Sequence, residues 1–155
     1  MRRFNLRTLP FGPDDEAWVG LPVDVDAFVL GGETYEVEGD SVELDLTVGR
    51  VGDRYTFVGR TEAILTGPCQ RCLERARIEI VAEGRETAQR GESEGVEEGD
   101  EPYVSGWQLD VERWVRDLIG AELPTLLLCR EDCRGLCPVC GADLNVDEDH
   151  RHDDE

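Results

Sequence analysis

Six cysteines and two histidines carry the chemistry available to this chain. Cys69 and Cys72 form a C-x2-C pair. Cys129, Cys133, Cys137 and Cys140 follow at x3, x3 and x2 spacings within LCREDCRGLCPVCGADLN. Two cysteines separated by two residues can aim both sulfurs at one metal ion from a tight turn, and zinc then takes two more ligands, usually from a second turn. Cys137-Pro-Val-Cys140-Gly141 reads as a zinc knuckle, with Gly141 leaving room for backbone N–H groups to approach the sulfurs. His150 and His152 bring the donors to eight, the number that two tetrahedral sites require.

Three partitions of these donors are open. In one, Cys69 and Cys72 join Cys129 and Cys133, while Cys137 and Cys140 take His150 and His152. In another, the two C-x2-C turns share one ion and Cys129 and Cys133 stand aside. In the third, one ion sits wholly within residues 129–140. The first is preferred, because Cys129 and Cys133 follow directly from a helix and can fold back towards a sheet. The histidines are its weak point, since HRHDDE also reads as a solvated tail.

Disulfides and redox chemistry fit less well. The opening residues hold no apolar stretch of seven or more, so no signal peptide is expected and the thiols are placed in a reducing cytoplasm. There, clustered cysteines read as metal ligands or redox groups. A thioredoxin-like C-x2-C would sit between a strand and a helix, whereas Cys72 leads into an apparent strand over Arg77–Glu83. Structural zinc is the expected cofactor. No run of ~18 apolar residues is present to span a membrane. No phosphate loop, dinucleotide fingerprint or G-x-S-x-G occurs, and both histidines lie in the tail. An enzyme is not expected, nor a small-molecule substrate.

The elements that must position the donors are legible from pattern. Scattered apolar residues broken by Pro10, Pro13 and Pro22 give extended segments and turns over the first thirty positions. Val42, Leu44, Leu46 and Val48 then alternate with polar residues, as a strand with one buried face requires. Val51-Gly52-Asp53 reads as a turn. A second strand runs through Tyr55, Phe57, Ile64 and Leu65, with Gly59 as a bulge, and delivers the first cysteine pair after Gly67-Pro68. A third strand turns Ile78 and Ile80 inward. Leu109–Leu123 is the one helix, with an apolar stripe of Val111, Trp114, Val115, Leu118 and Ile119, Asp110 as N-cap and Pro124 as its stop. The expected fold class is α+β: a mostly antiparallel meander, one amphipathic helix and a C-terminal cysteine-rich knuckle segment. A single domain over 1–155 is expected, with an acidic disordered loop at 84–102 and an acidic tail at 146–155.

Thirty-six acids face sixteen basic residues, all arginine, for a net charge of −20. That balance opposes binding nucleic acid through a broad basic face and favours cationic partners. Acid enrichment with loss of lysine also arises from genome composition. A local exception is Arg71, Arg75 and Arg77 near the first cysteine pair, with Arg130 and Arg134 in the second cluster. They are candidate RNA contacts if the two clusters converge, or ordinary salt-bridge partners of Glu74, Glu79, Glu131 and Asp132.

The succession resembles the YceD family, the large ribosomal RNA subunit accumulation proteins. The likeness rests on CQRCLE at 69–74, an acidic loop, a helix ending in Glu-Leu-Pro at 122–124, and LCREDCRGLCPVCGADLN at 128–145, and it spans residues from about 25 to 145. The resemblance implies that the six cysteines are motif residues, with Gln70, Arg71 and Leu73 in the first motif and Gly135, Leu136, Gly141, Leu144 and Asn145 in the second. It also implies a cytoplasmic protein needed for accumulation or processing of 23S ribosomal RNA, with a gene commonly beside that of a small zinc-ribbon protein of the large subunit. Many members carry further cysteines after the Leu-Asn step, where this chain has His150 and His152. Expected partners are the large-subunit precursor, 23S rRNA or a basic ribosomal protein held in a chaperone-like way. A zinc-stabilised scaffold with an unrelated partner is the blander alternative.

Overall fold

The computed structural model describes residues 3–39, 41–89 and 103–152. In chain order the elements are β1 (Arg3–Asn5), a 3-10 turn (Leu6–Thr8), β2 (Glu16–Asp24), β3 (Phe28–Leu30), β4 (Glu33–Val37), β5 (Ser41–Val51), β6 (Arg54–Pro68), β7 (Arg75–Gln89), β8 (Val104–Ser105), β9 (Gln108–Asp110) and α1 (Val111–Ala121). Among the described residues the fold is α+β, with antiparallel strands and one α-helix. β5, β6 and β7 form the expected meander. β7 pairs with β6 along its whole length, β5 and then β4 pair with β6, and β2 extends the sheet beyond β5. A small second sheet of order β1-β9-β8 leads into the helix.

Alternation decides which face is buried. Val42, Leu44, Leu46 and Val48 of β5 point inward beside Tyr55, Phe57, Ala63 and Leu65 of β6. Each large side chain so buried contributes about 1.5–3 kcal/mol. The helix covers this face through Val111, Trp114, Val115 and Ile119. Asp110 caps it, accepting from the Arg113 N–H at 3.2 Å. The helix is shorter than expected, because Leu109 belongs to β9 and Leu123 lies past the C-cap Glu122.

Two further expectations are corrected. Gly59 makes no bulge; it stands in register with Leu46 and with Gly84. The Gly59–Gly84 pair is the seat of the helix instead. A Cβ at Gly59 would lie 2.8 Å from the Trp114 ring, and one at Gly84 would overlap the Leu118 side chain. Glycine in a strand here marks close approach of a neighbour. Gly84–Gln89 are accordingly strand, not loop, paired to β6 down to Arg54↔Gln89. Their polar composition suggests a loop because β7 is an edge strand with one face in water. The rest of the expected loop, 90–102, lies outside the described residues, as do residues 153–155 of the tail.

Candidate metal centres

The first cysteine pair occupies the connection between the two longest strands. β6 ends at Pro68 and β7 begins at Arg75, so Cys69–Glu74 must reverse the chain within six residues. Cys69 N–H donates to Glu74 O at 2.7 Å, and Leu73 N–H to Cys69 O at 2.9 Å. The second pair repeats this pattern, with Cys137 N–H on Ala142 O and Gly141 N–H on Cys137 O, both at 2.8 Å. In each knuckle the residue after the second cysteine is left-handed, at φ 66° for Leu73 and 75° for Gly141. That conformation suits glycine and costs a leucine roughly 1–2 kcal/mol.

The segment after the helix is clasped to the first knuckle. Gln70 N–H donates to Leu127 O, and Leu127 N–H donates to Gln70 Oε1, each at 2.9 Å. This clasp carries Cys129 and Cys133 to Cys69 and Cys72, where the four sulfurs lie within 4.8 Å of one another. Cys69 and Cys133 are 3.7 Å apart, and Cys72 and Cys129 are 3.6 Å apart. Four sulfurs at ~2.3 Å from one ion stand about 3.8 Å apart in a tetrahedron, so the spacing fits a thiolate-bound metal.

Cys137, Cys140, His150 and His152 converge as a second group within the same 4.8 Å limit. Turns at Asp143–Asp147 and Asp147–His150 return the chain to the knuckle. Cys137 Sγ stands 3.1 Å from His152 Nε2, Cys140 Sγ 3.3 Å from His150 Nε2, and the two Nε2 atoms 3.2 Å from each other. Those distances are slightly shorter than the edges, about 3.3–3.6 Å, of a mixed nitrogen–sulfur tetrahedron. Asp147 Oδ2 stands 3.3 Å from His150 Nδ1, the carboxylate support that orients a metal-binding imidazole.

Electrostatics separate the sulfurs within each group. Burial opposes the Cys69 thiolate, yet backbone N–H groups of Cys72, Arg71 and Cys129 outweigh it and lower its pKa to about 6. Burial, with the neighbouring sulfurs, pushes Cys72 up to about 12. A second thiolate therefore forms in this buried cluster only against the first, unless a cation offsets both. In the second group the N–H of Cys140, the His152 ring and the N–H of Val139 hold Cys137 at about 6. The Cys137 sulfur, and after it Asp147, raise the pKa of His150. Both donor sets can coordinate a metal.

The two knuckles touch through side chains and backbone. Leu136 N–H donates to Arg71 O at 3.1 Å, and Arg71 Nη1 donates to Cys133 O at 2.8 Å. Gly135 lies so close that a Cβ there would meet Arg71 O at 2.9 Å. Asn145 ties the strip together: its Nδ2 approaches the Cys133 sulfur at 3.5 Å, and its Oδ1 accepts from Arg134 N and Arg130 Nη2, both at 2.8 Å. Residue type alone gives Asn145 and Asp147 no such roles; their offsets from Cys133 and His150 are the available signal.

Four of the five candidate arginines are engaged by protein acceptors. Arg71 is committed to Cys133 O. Arg77 pairs with Glu38 and Glu79, Arg130 with Asp132, and Arg134 Nη1 donates to Glu148 O. Arg75 is exposed at the start of β7. Among the described residues, no helix is long and apolar enough to cross a membrane.

Comparison with known proteins draws on the same region. The family model described as large ribosomal RNA subunit accumulation protein YceD matches residues 57–155, which contain all eight donors. An uncharacterized protein of Mycobacterium tuberculosis is 31% identical over 176 residues, covering 98% of this chain and 85% of its own. One of Mycobacterium leprae is 30% identical over 149 residues, covering 93% of this chain and 69% of its own. The large ribosomal RNA subunit accumulation protein YCED homolog 1, chloroplastic, of Zea mays is 40% identical over 39 residues, or 25% of this chain and 13% of the maize protein. No solved structure matches. With nearly two thirds of its length matched and both donor groups inside the match, the chain belongs to the YceD family of large ribosomal RNA subunit accumulation proteins.

Proposed function

We propose that this protein is a non-enzymatic, zinc-binding factor of the cytoplasm that supports accumulation or processing of 23S ribosomal RNA and assembly of the large ribosomal subunit. Family membership carries the biological part of this reading. The grouping of eight donors into two sets of four carries the metal part. Cys69, Cys72, Cys129 and Cys133 would hold one zinc ion, and Cys137, Cys140, His150 and His152 the other. Zinc closed by four protein ligands supplies cross-linking rather than reactivity. The chain's two histidines both sit in the second group, so neither stands apart as a general base.

A second reading, in which the protein holds a basic ribosomal protein until assembly, is favoured by the net charge of −20 and by the arginines' protein acceptors near the knuckles. The deciding experiment deletes the gene in its own organism and measures the ratio of 23S to 16S rRNA. A fall restored by the wild-type gene and not by Cys69→Ser is the expected result. An unchanged ratio would end the assembly reading. Native mass spectrometry of the purified, reduced protein is expected to show two zinc ions.

A further inference from the structure

Leu73 is out of place on two counts. Its backbone is left-handed, where Gly141 stands at the matching position of the other knuckle. Its side chain is also 62% exposed. Glycine would relieve the backbone and a polar residue would relieve the exposure, so stability of the lone chain accounts for neither feature. Strain kept at a surface position is a pointer to function.

Leu73 stands between two adjoining grooves. The larger, of about 510 Å³, is also lined by Leu30, Leu123, Pro124 and Leu126, and its charged lining residue is Glu33. Leu126 is itself 45% exposed. The floor includes Gln70 and Leu127, the clasp that fastens the cysteine segment to the first knuckle. The second groove, of about 450 Å³, runs past Pro68, Glu36 and Arg75. Charge decides what fits there. A net charge of −20 repels a second copy of the chain and repels a phosphate backbone, and it draws in a cation. Glu33 and Glu36 place carboxylates beside the leucines.

We propose that the Leu73 ridge and its two flanking grooves dock a cationic protein segment carrying a large apolar side chain beside arginine or lysine. The apolar side chain fills the leucine-lined groove, and the carboxylates set encounter rate and register. This names a partner class and a surface for the assembly role proposed above, and rests on that reading.

The test titrates the zinc-loaded, isotope-labelled full chain with a synthetic peptide of alternating arginine and leucine. A peptide of equal charge with serine in place of leucine is the control, in salt of about 0.15 M to screen diffuse attraction. The leucine peptide is expected to shift the amides of Gly31, Leu73, Leu126 and Leu127, and the serine peptide to leave them in place. Leu73→Gly is expected to weaken the leucine peptide at least tenfold while metal content holds and the thermal midpoint stays level or rises. Leu126→Ser should weaken it as well. Equal binding of the two peptides, or affinity indifferent to Leu73→Gly, would overturn the proposal. So would groove shifts produced by oligouridylate alone, which would make this an RNA surface, or by protein concentration alone, which would make it a self-association surface. None of these outcomes alters the 23S to 16S ratio of the deletion strain, so the docking surface and the assembly role fail by separate measurements.

Discussion

The two donor groups share one knuckle geometry and differ in almost everything around it. The first lies between the longest strands, with Cys69, Cys72 and Cys133 buried and a helix-derived segment clasped over it. The second hangs on the terminal strip, where Cys137 is buried but Cys140 is exposed, and two histidines replace two sulfurs. The same hydrogen-bonded turn can therefore serve a fold or merely append to it. What distinguishes the two is how far apart in sequence the ligands lie. The first group joins residues about sixty positions apart and so fixes how the chain's end meets the sheet. The second closes a loop of sixteen residues, from Cys137 to His152, within a segment that already rests on Arg71.

The sharpest way to break this contrast is to remove one sulfur from each group. Cys133→Ser should cost on the order of 5 kcal/mol or more, because a structural zinc site supplies ~10 kcal/mol to a fold whose net stability is of similar size. The expected outcome is a chain whose amide spectrum loses dispersion and whose zinc content falls towards zero. Cys140→Ser should remove one zinc ion and leave the sheet intact, with a loss of roughly 1 kcal/mol and a thermal midpoint lower by about 2–4 °C. Equal damage from the two substitutions would sink the idea that only the first group closes the fold.

Truncation after Asn145 asks the same question without touching a sulfur. It removes His150 and His152 and keeps the contacts of Asn145 with Cys133, Arg130 and Arg134. Native mass spectrometry should then count one zinc ion where two are expected in the full chain, with far-ultraviolet circular dichroism unchanged. A count that stays the same would show that the histidines are a solvated tail after all.

Asn145→Ala tests the link between the groups. It deletes the amide beside the Cys133 sulfur and the acceptor for Arg130 and Arg134, while leaving all eight donors in place. Loss of such outer contacts lowers metal affinity by about 10- to 100-fold. Competition with a chromophoric chelator should place that loss in the first group; a loss confined to the second would mean that Asn145 acts only through the terminal strip.

Much of this arrangement is legible in the amino-acid pattern. The β5 alternation and the helix stripe follow from apolar spacing, and both reappear as buried faces. The structure also groups the donors as the preferred partition does, since spacing after the helix limits where Cys129 and Cys133 can reach. Gly59 and Gly84 are harder to read because a glycine in a strand has several causes, and only the helix above it distinguishes a seat from a bulge. The extent of β7 escapes composition because an edge strand facing water is as polar as a loop. In the small sheet β1 pairs with β9 roughly a hundred positions away and β8 with β9 as a tight hairpin, all through strands of two or three residues, too short for alternation to register.

The smallest effect concerns protonation of the second knuckle. Cys137 is held at about 6 by the N–H of Cys140, the His152 ring and the N–H of Val139, below the ordinary thiol value of roughly 8.5. A depressed pKa means that the thiolate's contribution is fully present above the unfolded value and is lost as pH falls through the folded one. With the first group loaded and the second emptied by brief chelation, the knuckle should loosen between about pH 8.5 and 6. The Val139 and Cys140 amide resonances, whose N–H groups face the sulfur, should titrate together with a midpoint near 6. Loading the second group should flatten that curve, because a ligated thiolate no longer takes up a proton in this range. A midpoint between about 8 and 9 in the emptied protein, the range of an ordinary thiol, would mean that the N–H groups do not preorganise the sulfur. The second knuckle would then take its shape from the metal rather than offer it one, which is the reverse of what the matching hydrogen bonds of the first knuckle imply.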